Sequence, residues 1–94
     1  MAQFTTRVEL HNADRTDYVK LHAEMKQQGF SQTIRSDDGK IYELPPAEYN
    51  LTGDLTSDDV LAKAKVAARA VKPSYAVLVT KSGARVWEGL KQVA

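Results

Sequence analysis

Two histidines, His11 and His22, are the side chains of this sequence best suited to move protons near neutral pH. The chain has no cysteine, hence no thiolate nucleophile. Cleaving RNA takes a base on the 2′-hydroxyl and an acid on the leaving oxygen, and two histidines can fill both roles. The competing reading makes His11 a solvated loop residue and His22 a packing residue at a helix edge. Arg7, Arg35 and Lys40 form a candidate basic patch, with Tyr42 as a stacking ring. Such a set on a sheet surface suits single-stranded RNA. Ordinary cross-strand pairing with Glu9 or Glu43 explains the same charges. Asp37 and Asp38 could hold a divalent cation beside Asp14 or Asp54, although aspartate is also a favoured turn residue. There is no His/Cys cluster of zinc spacing and no Gly-rich phosphate loop, so no metal site or cofactor is expected.

The elements that must position these groups are readable in outline. Phe4, Thr6, Val8 and Leu10 alternate with Thr5, Arg7 and Glu9, which predicts a first strand covered on one side. Asp14 is placed to cap a helix over residues 15–28, with Tyr18, Leu21 and Met25 on its buried stripe. His22 falls at the edge of that stripe, and Gly29 suits the helix end. The stretch from Gly29 to Leu44 reads as a hairpin turning at Asp37-Asp38-Gly39. Its strands are expected near 30–35 and from 40, broken by Pro45 and Pro46 and resuming over 48–52. Thr56 caps a second helix whose stripe is Val60, Leu61, Ala64, Ala67, Ala68 and Val71. The apolar run 75–80 predicts a deep fourth strand, and 84–87 a possible fifth.

A hairpin set between two helices points to a ferredoxin-like α+β sandwich, β-α-β-β-α-β, with both helices on one sheet face. Phe4, Val8, Leu21, Met25, Ile34, Val60, Ala64 and Val77 are its expected core. Trp87, the only tryptophan, is expected over a core edge or in a subunit interface. A sheet with two open edges invites pairing, so a homodimer is expected.

The 94 residues carry a formal net charge of +1, with no basic block. That sets one domain, residues 1–94, with a single modest core, and no strong nonspecific attraction to nucleic acid from total charge. The absence of cysteine, of a signal-peptide core and of an apolar run near the ~20 residues of a membrane span fits a cytoplasmic protein.

The segment from Leu21 to Gln32, continued by Asp37 to Leu44, resembles the GhoS family. So does the element order of most of the chain. The resemblance implies a small ferredoxin-like bacterial protein, similar in fold to the small CRISPR-associated nucleases. The family's namesake is an antitoxin that cleaves the messenger RNA of its toxin partner. An endoribonuclease acting on single-stranded mRNA is therefore implied here, with a non-catalytic dimeric or partner-docking module as the alternative. The related nucleases carry an aspartate at the end of strand one; here that end is Leu10, His11 and Asn12. This departure counts against metal-dependent cleavage by that route. Aligned with the family, His22 falls where a basic residue of the first helix is expected.

Overall fold

The computed structural model describes residues 2–94. Its elements are β1 (Ala2–Leu10), α1 (Arg15–Gln27), β2 (Thr33–Arg35), β3 (Ile41–Glu43), β4 (Glu48–Gly53), α2 (Ser57–Arg69) and β5 (Tyr75–Ser82). β1 is the centre of a three-stranded antiparallel sheet of order β4-β1-β5. β2 and β3 make a separate antiparallel pair.

Strand alternation decides which face is buried. Phe4, Thr6, Val8 and Leu10 are buried, whereas Gln3, Arg7 and Glu9 are exposed. Leu21 and Met25 of α1 and Val60, Ala64, Ala67 and Ala68 of α2 close over the buried face. They form one cluster with Phe4, Val8, Leu10, Tyr49 and Leu51. The alanines of α2 leave little between helix and sheet, so the helix packs close. Replacing Leu21 by alanine is expected to cost about 2–5 kcal/mol, the usual range for a buried leucine. An unchanged denaturation midpoint would show that α1 is not seated on this core.

Thr6 is the buried polar exception. Its hydroxyl has no hydrogen-bond partner among the described residues. A buried, unpaired hydroxyl costs about 1–3 kcal/mol. Thr6→Val keeps the shape and removes that group, so it is expected to raise the unfolding midpoint; a fall would mean that the hydroxyl is satisfied in solution.

Both helices begin as their caps dictate. The Asp17 N–H donates to the Asp14 carboxylate (3.0 Å), and the Asp14 N–H donates back to Asp17 (3.1 Å). Thr56 and Asp59 repeat this box on α2. Gly29, at φ +94°, carries the chain out of α1 in a conformation that other residues adopt only under strain.

The hairpin forms around its expected turn but does not extend the main sheet. Pro45 and Pro46 supply no N–H, and Ala47 adopts φ 68°, so the chain swings away between β3 and β4. The hairpin's backbone link to β4 among the described residues is the bridge at Ser31, which exchanges hydrogen bonds of 2.8 and 2.7 Å with Asn50. In place of one four-stranded sheet there are thus three strands and a divergent hairpin.

Two further expectations are corrected. β5 is an edge strand, not a deep one. Val77 and Val79 are half-buried, while Leu78 is 64% exposed. Its apolar run reflects cover on one side with an unusually apolar outer side. No strand forms over 84–87. The chain end instead ties to β3: the Ile41 N–H donates to the Ala94 carbonyl (2.7 Å), Val93 to Ile41 (2.8 Å) and Glu43 to Lys91 (2.8 Å). Trp87 packs edge-on against Tyr42, centroids 5.5 Å apart, and so covers the hairpin rather than the main core.

Candidate functional site

The open face of the main sheet carries the odd-numbered residues of β1. Arg85 lies across it. Its guanidinium donates to the Asn50 Oδ1 (2.6 Å), the Gln3 Oε1 (2.7 Å) and the Thr5 Oγ1 (3.3 Å). The three acceptors come from β4 and β1, and all are neutral. Among the described residues no carboxylate pairs with Arg85. Partial burial lowers its pKa from the usual value, yet an arginine stays charged at neutral pH. The result is a fixed cation whose charge is not cancelled locally.

A groove of about 510 Å³ runs beside Arg85. Arg35 and Tyr42 from the hairpin and Arg85 and Trp87 from the chain end line it, with Tyr42 packed against Trp87. Asp37 and Asp38 sit at the hairpin turn on its rim. Asp38 is committed to the turn: it accepts from the Ser36 hydroxyl and the Lys40 N–H, and its carboxylate is 3.7 Å from the Lys40 Nζ. The Ser36 hydrogen bond, above the other contacts, lowers its pKa.

The structure divides the residues singled out from sequence. Arg35 and Tyr42 line the groove, whereas Lys40 pairs with Asp38 outside its lining. Arg7 lies farther along β1, in a shallow depression with Glu9 and Leu78. His11 is exposed after β1; its Nδ1 is 2.7 Å from the Ser74 Oγ, and its Nε2 is 3.3 Å from Glu9. His22 is half-buried on α1, and its Nδ1 shares a 2.6 Å hydrogen bond with the Tyr49 hydroxyl. Burial raises the Tyr49 pKa, so its phenol keeps its proton. Burial likewise lowers the pKa of His22, which favours the neutral imidazole.

His11 and His22 do not meet in one cleft. Tyr49, the partner of His22, sits opposite Thr6 on the helix-covered face. His11 lies just past the end of β1, five residues beyond Thr6, roughly 16 Å at the usual strand rise. His22 is also on the opposite side of the sheet from Arg7 and Arg85. The two sides are nevertheless adjacent in β4, where Tyr49 points to His22 and Asn50 to Arg85.

The lowered His22 pKa has a consequence for stability. The unfolded chain takes up this proton near pH 6.5, before the folded chain does. The contribution is therefore full above that pH and is lost as pH falls from there toward the folded value. His22→Gln is expected to flatten the loss of stability in that window; an unchanged pH profile would contradict the assigned burial.

Sequence reasoning missed Arg85 and Trp87 as a pair. An arginine two residues before the only tryptophan is a weak signal, and only the turn at Gly83 and the tie to β3 bring both to the groove. Among the described residues, no three His, Asp or Glu side chains cluster as metal ligands.

No curated protein matches the chain. The family described as Endoribonuclease GhoS matches residues 1–78, which span β1 through the first half of β5. Residues 79–94, with Arg85 and Trp87, lie beyond that match. With more than three-quarters of its length matched, the chain belongs to the GhoS endoribonuclease family.

Proposed function

We propose that this protein cleaves single-stranded messenger RNA held in the groove between hairpin and chain end, as an antitoxin-type endoribonuclease. The carrying observation is Arg85, a charged guanidinium anchored by three neutral acceptors and left without a carboxylate. A planar guanidinium suits phosphate oxygens, and Arg35 lines the same groove as a second cation. The substrate's 2′-oxygen attacks the adjacent phosphorus and the bond to the 5′-oxygen breaks. A base takes the 2′-proton and an acid protonates the 5′-oxygen, leaving a 2′,3′-cyclic phosphate and a 5′-hydroxyl. His22 is the proposed proton-transfer residue at the scissile phosphate, with water as its counterpart; His11, which does not share its cleft, is the proposed second site, in contact with a flanking part of the RNA. Neutral and fixed through Nδ1, His22 keeps Nε2 for exchange. An RNA reaching both Arg85 and His22 must pass around the sheet at β4, which suits an unpaired strand.

The reaction is proposed to run without metal, because the end of β1 carries no aspartate and four aspartates elsewhere are already engaged. Asp14, Asp17 and Asp59 cap helices, and Asp38 holds the turn. Purified full-length protein is expected to cut a labelled unpaired RNA to cyclic-phosphate ends, at a rate unaffected by chelator. Products with 3′-hydroxyl ends, or loss of activity in chelator, would overturn this chemistry.

The architecture is read as ferredoxin-like, with the second strand reduced to the Ser31–Asn50 bridge. The protein is proposed to be cytoplasmic, in keeping with its lack of cysteine; no helix among the described residues is long and apolar enough to cross a membrane. A homodimer through β5 is proposed as well, since this edge strand exposes Leu78. Sedimentation at tens of micromolar is expected to show a dimer that Leu78→Lys dissociates; a monomer in the parent protein would exclude it.

A further inference from the structure

We infer that the chain end, residues 83–94, builds a subsite for one unpaired RNA base, stacked on Trp87 while its phosphate rests on Arg85. This rests on the RNA-cleaving reading above. It goes further by assigning base binding to a segment outside the family match.

Three observations converge on a nucleotide. The first is the pairing of an aromatic ring with a guanidinium. Trp87 and Arg85 line the same groove two residues apart, together with Arg35 and Tyr42. Bases stack on such rings whatever their identity, and phosphates bind guanidinium groups. The second is preorganisation. Tyr42 meets Trp87 edge-on, with an interplanar angle of 63°, which fixes the indole while Trp87 remains partly accessible. The backbone bonds of Lys91, Val93 and Ala94 to β3 hold the segment in place, and Arg85 ties it to β1 and β4. Little ordering is then left for the ligand to impose. The third is size: about 510 Å³ lies within the ~300–1,000 Å³ typical of small-ligand sites.

The groove's acidic residues do not cancel its positive charge. Asp38 is paired with Lys40, which leaves Asp37 on the rim against the two arginines. None of the core cluster lies in residues 83–94. The segment is thus spared from the main core and free to serve a ligand.

Trp87 is the only tryptophan, so its fluorescence reports on this subsite alone. The full-length protein is titrated with a short single-stranded RNA carrying 2′-O-methyl at every sugar, which blocks attack by the 2′-oxygen. The expected result is a saturable change in tryptophan emission. An otherwise identical abasic strand is expected to bind more weakly and leave the emission unchanged. With a fluorescently labelled strand, Trp87→Ala is expected to weaken binding about 5- to 150-fold, the span of one base stack. Trp87→Phe, which keeps a ring, is expected to recover most of that loss. The salt dependence separates the two contacts. Arg85→Met is expected to lower the slope of log K against log salt by about 0.7, as for one lost phosphate contact, and Trp87→Ala to leave it unaltered.

Unchanged emission at saturation, or equal binding of the abasic strand, overturns the subsite. Cleavage of unmodified RNA is measured in parallel. Cleavage with unresponsive tryptophan removes only the subsite. A tryptophan response without cleavage on any RNA removes the nuclease reading and keeps the subsite.

Discussion

Arg85→Met is expected to lower kcat/KM for a single-stranded RNA about 10- to 150-fold, the loss of one charge-assisted hydrogen-bonding partner converted to rate. The argument begins with the side chain's fixed position. Its hydrogen bonds to Gln3, Thr5 and Asn50 set the plane of the guanidinium over the open sheet face. Those acceptors hold the group without neutralising it, so a phosphate meets a cation already in position. Methionine keeps the length of the side chain and removes charge and donors together. Arg85→Lys restores the charge, but an ammonium cannot reproduce the fork that reaches three acceptors, and it is expected to recover only part of the loss. If Arg85 serves binding alone, the effect falls mainly on KM. Because Arg85 also joins β1, β4 and the chain end, a denaturation curve accompanies each variant. A folded Arg85→Met protein with unchanged kcat/KM would show that RNA does not use this groove.

What the sequence made legible follows from which interactions are local. The helix starts at Asp14 and Thr56 and the helix end at Gly29 depend on neighbours within a few residues, and each was readable. The alternation of β1 was equally plain, because one side of that strand meets the core along its whole length. Seven of the eight expected core residues are buried; Val77 is half-buried because its strand lies at the edge. Strand order could not be read in the same way. An apolar run such as 75–80 has the same pattern in a central strand and in an edge strand with an apolar outer side. The divergence of the hairpin depends on how Pro45, Pro46 and Ala47 turn together, which no single residue announces. The candidate groove was half legible. Arg35 and Tyr42 stand on the hairpin that the turn signal revealed, and both line the groove. Arg85 and Trp87 arrive from the far end of the chain through backbone bonds to β3 that carry no side-chain signature.

His22→Ala is expected to reduce kcat by about 10²- to 10⁴-fold, the usual contribution of a general acid or base. Burial favours the neutral ring, the form able to accept a proton, and the Tyr49 hydroxyl holds Nδ1 at 2.6 Å. Tyr49 is itself buried against Phe30 and opposite Thr6, so the ring has a rigid support. Tyr49→Phe removes the hydroxyl and keeps the packing. It is expected to lower kcat less than loss of the imidazole and to shift the basic-group limb of the pH–rate profile, an effect that simple loss of stability does not produce. His11 has no comparable support: it is exposed, between Ser74 and Glu9. His11→Ala is therefore expected to have the smaller effect of the two. The position of His22 across the sheet from Arg85 makes the comparison decisive. A fall in kcat with KM unchanged requires RNA to reach the helix-covered side near Tyr49, one residue along β4 from the Arg85 contact at Asn50. Full activity in a folded His22→Ala protein would mean that the proton is moved on the groove side of the sheet, and the role assigned to His22 would be wrong.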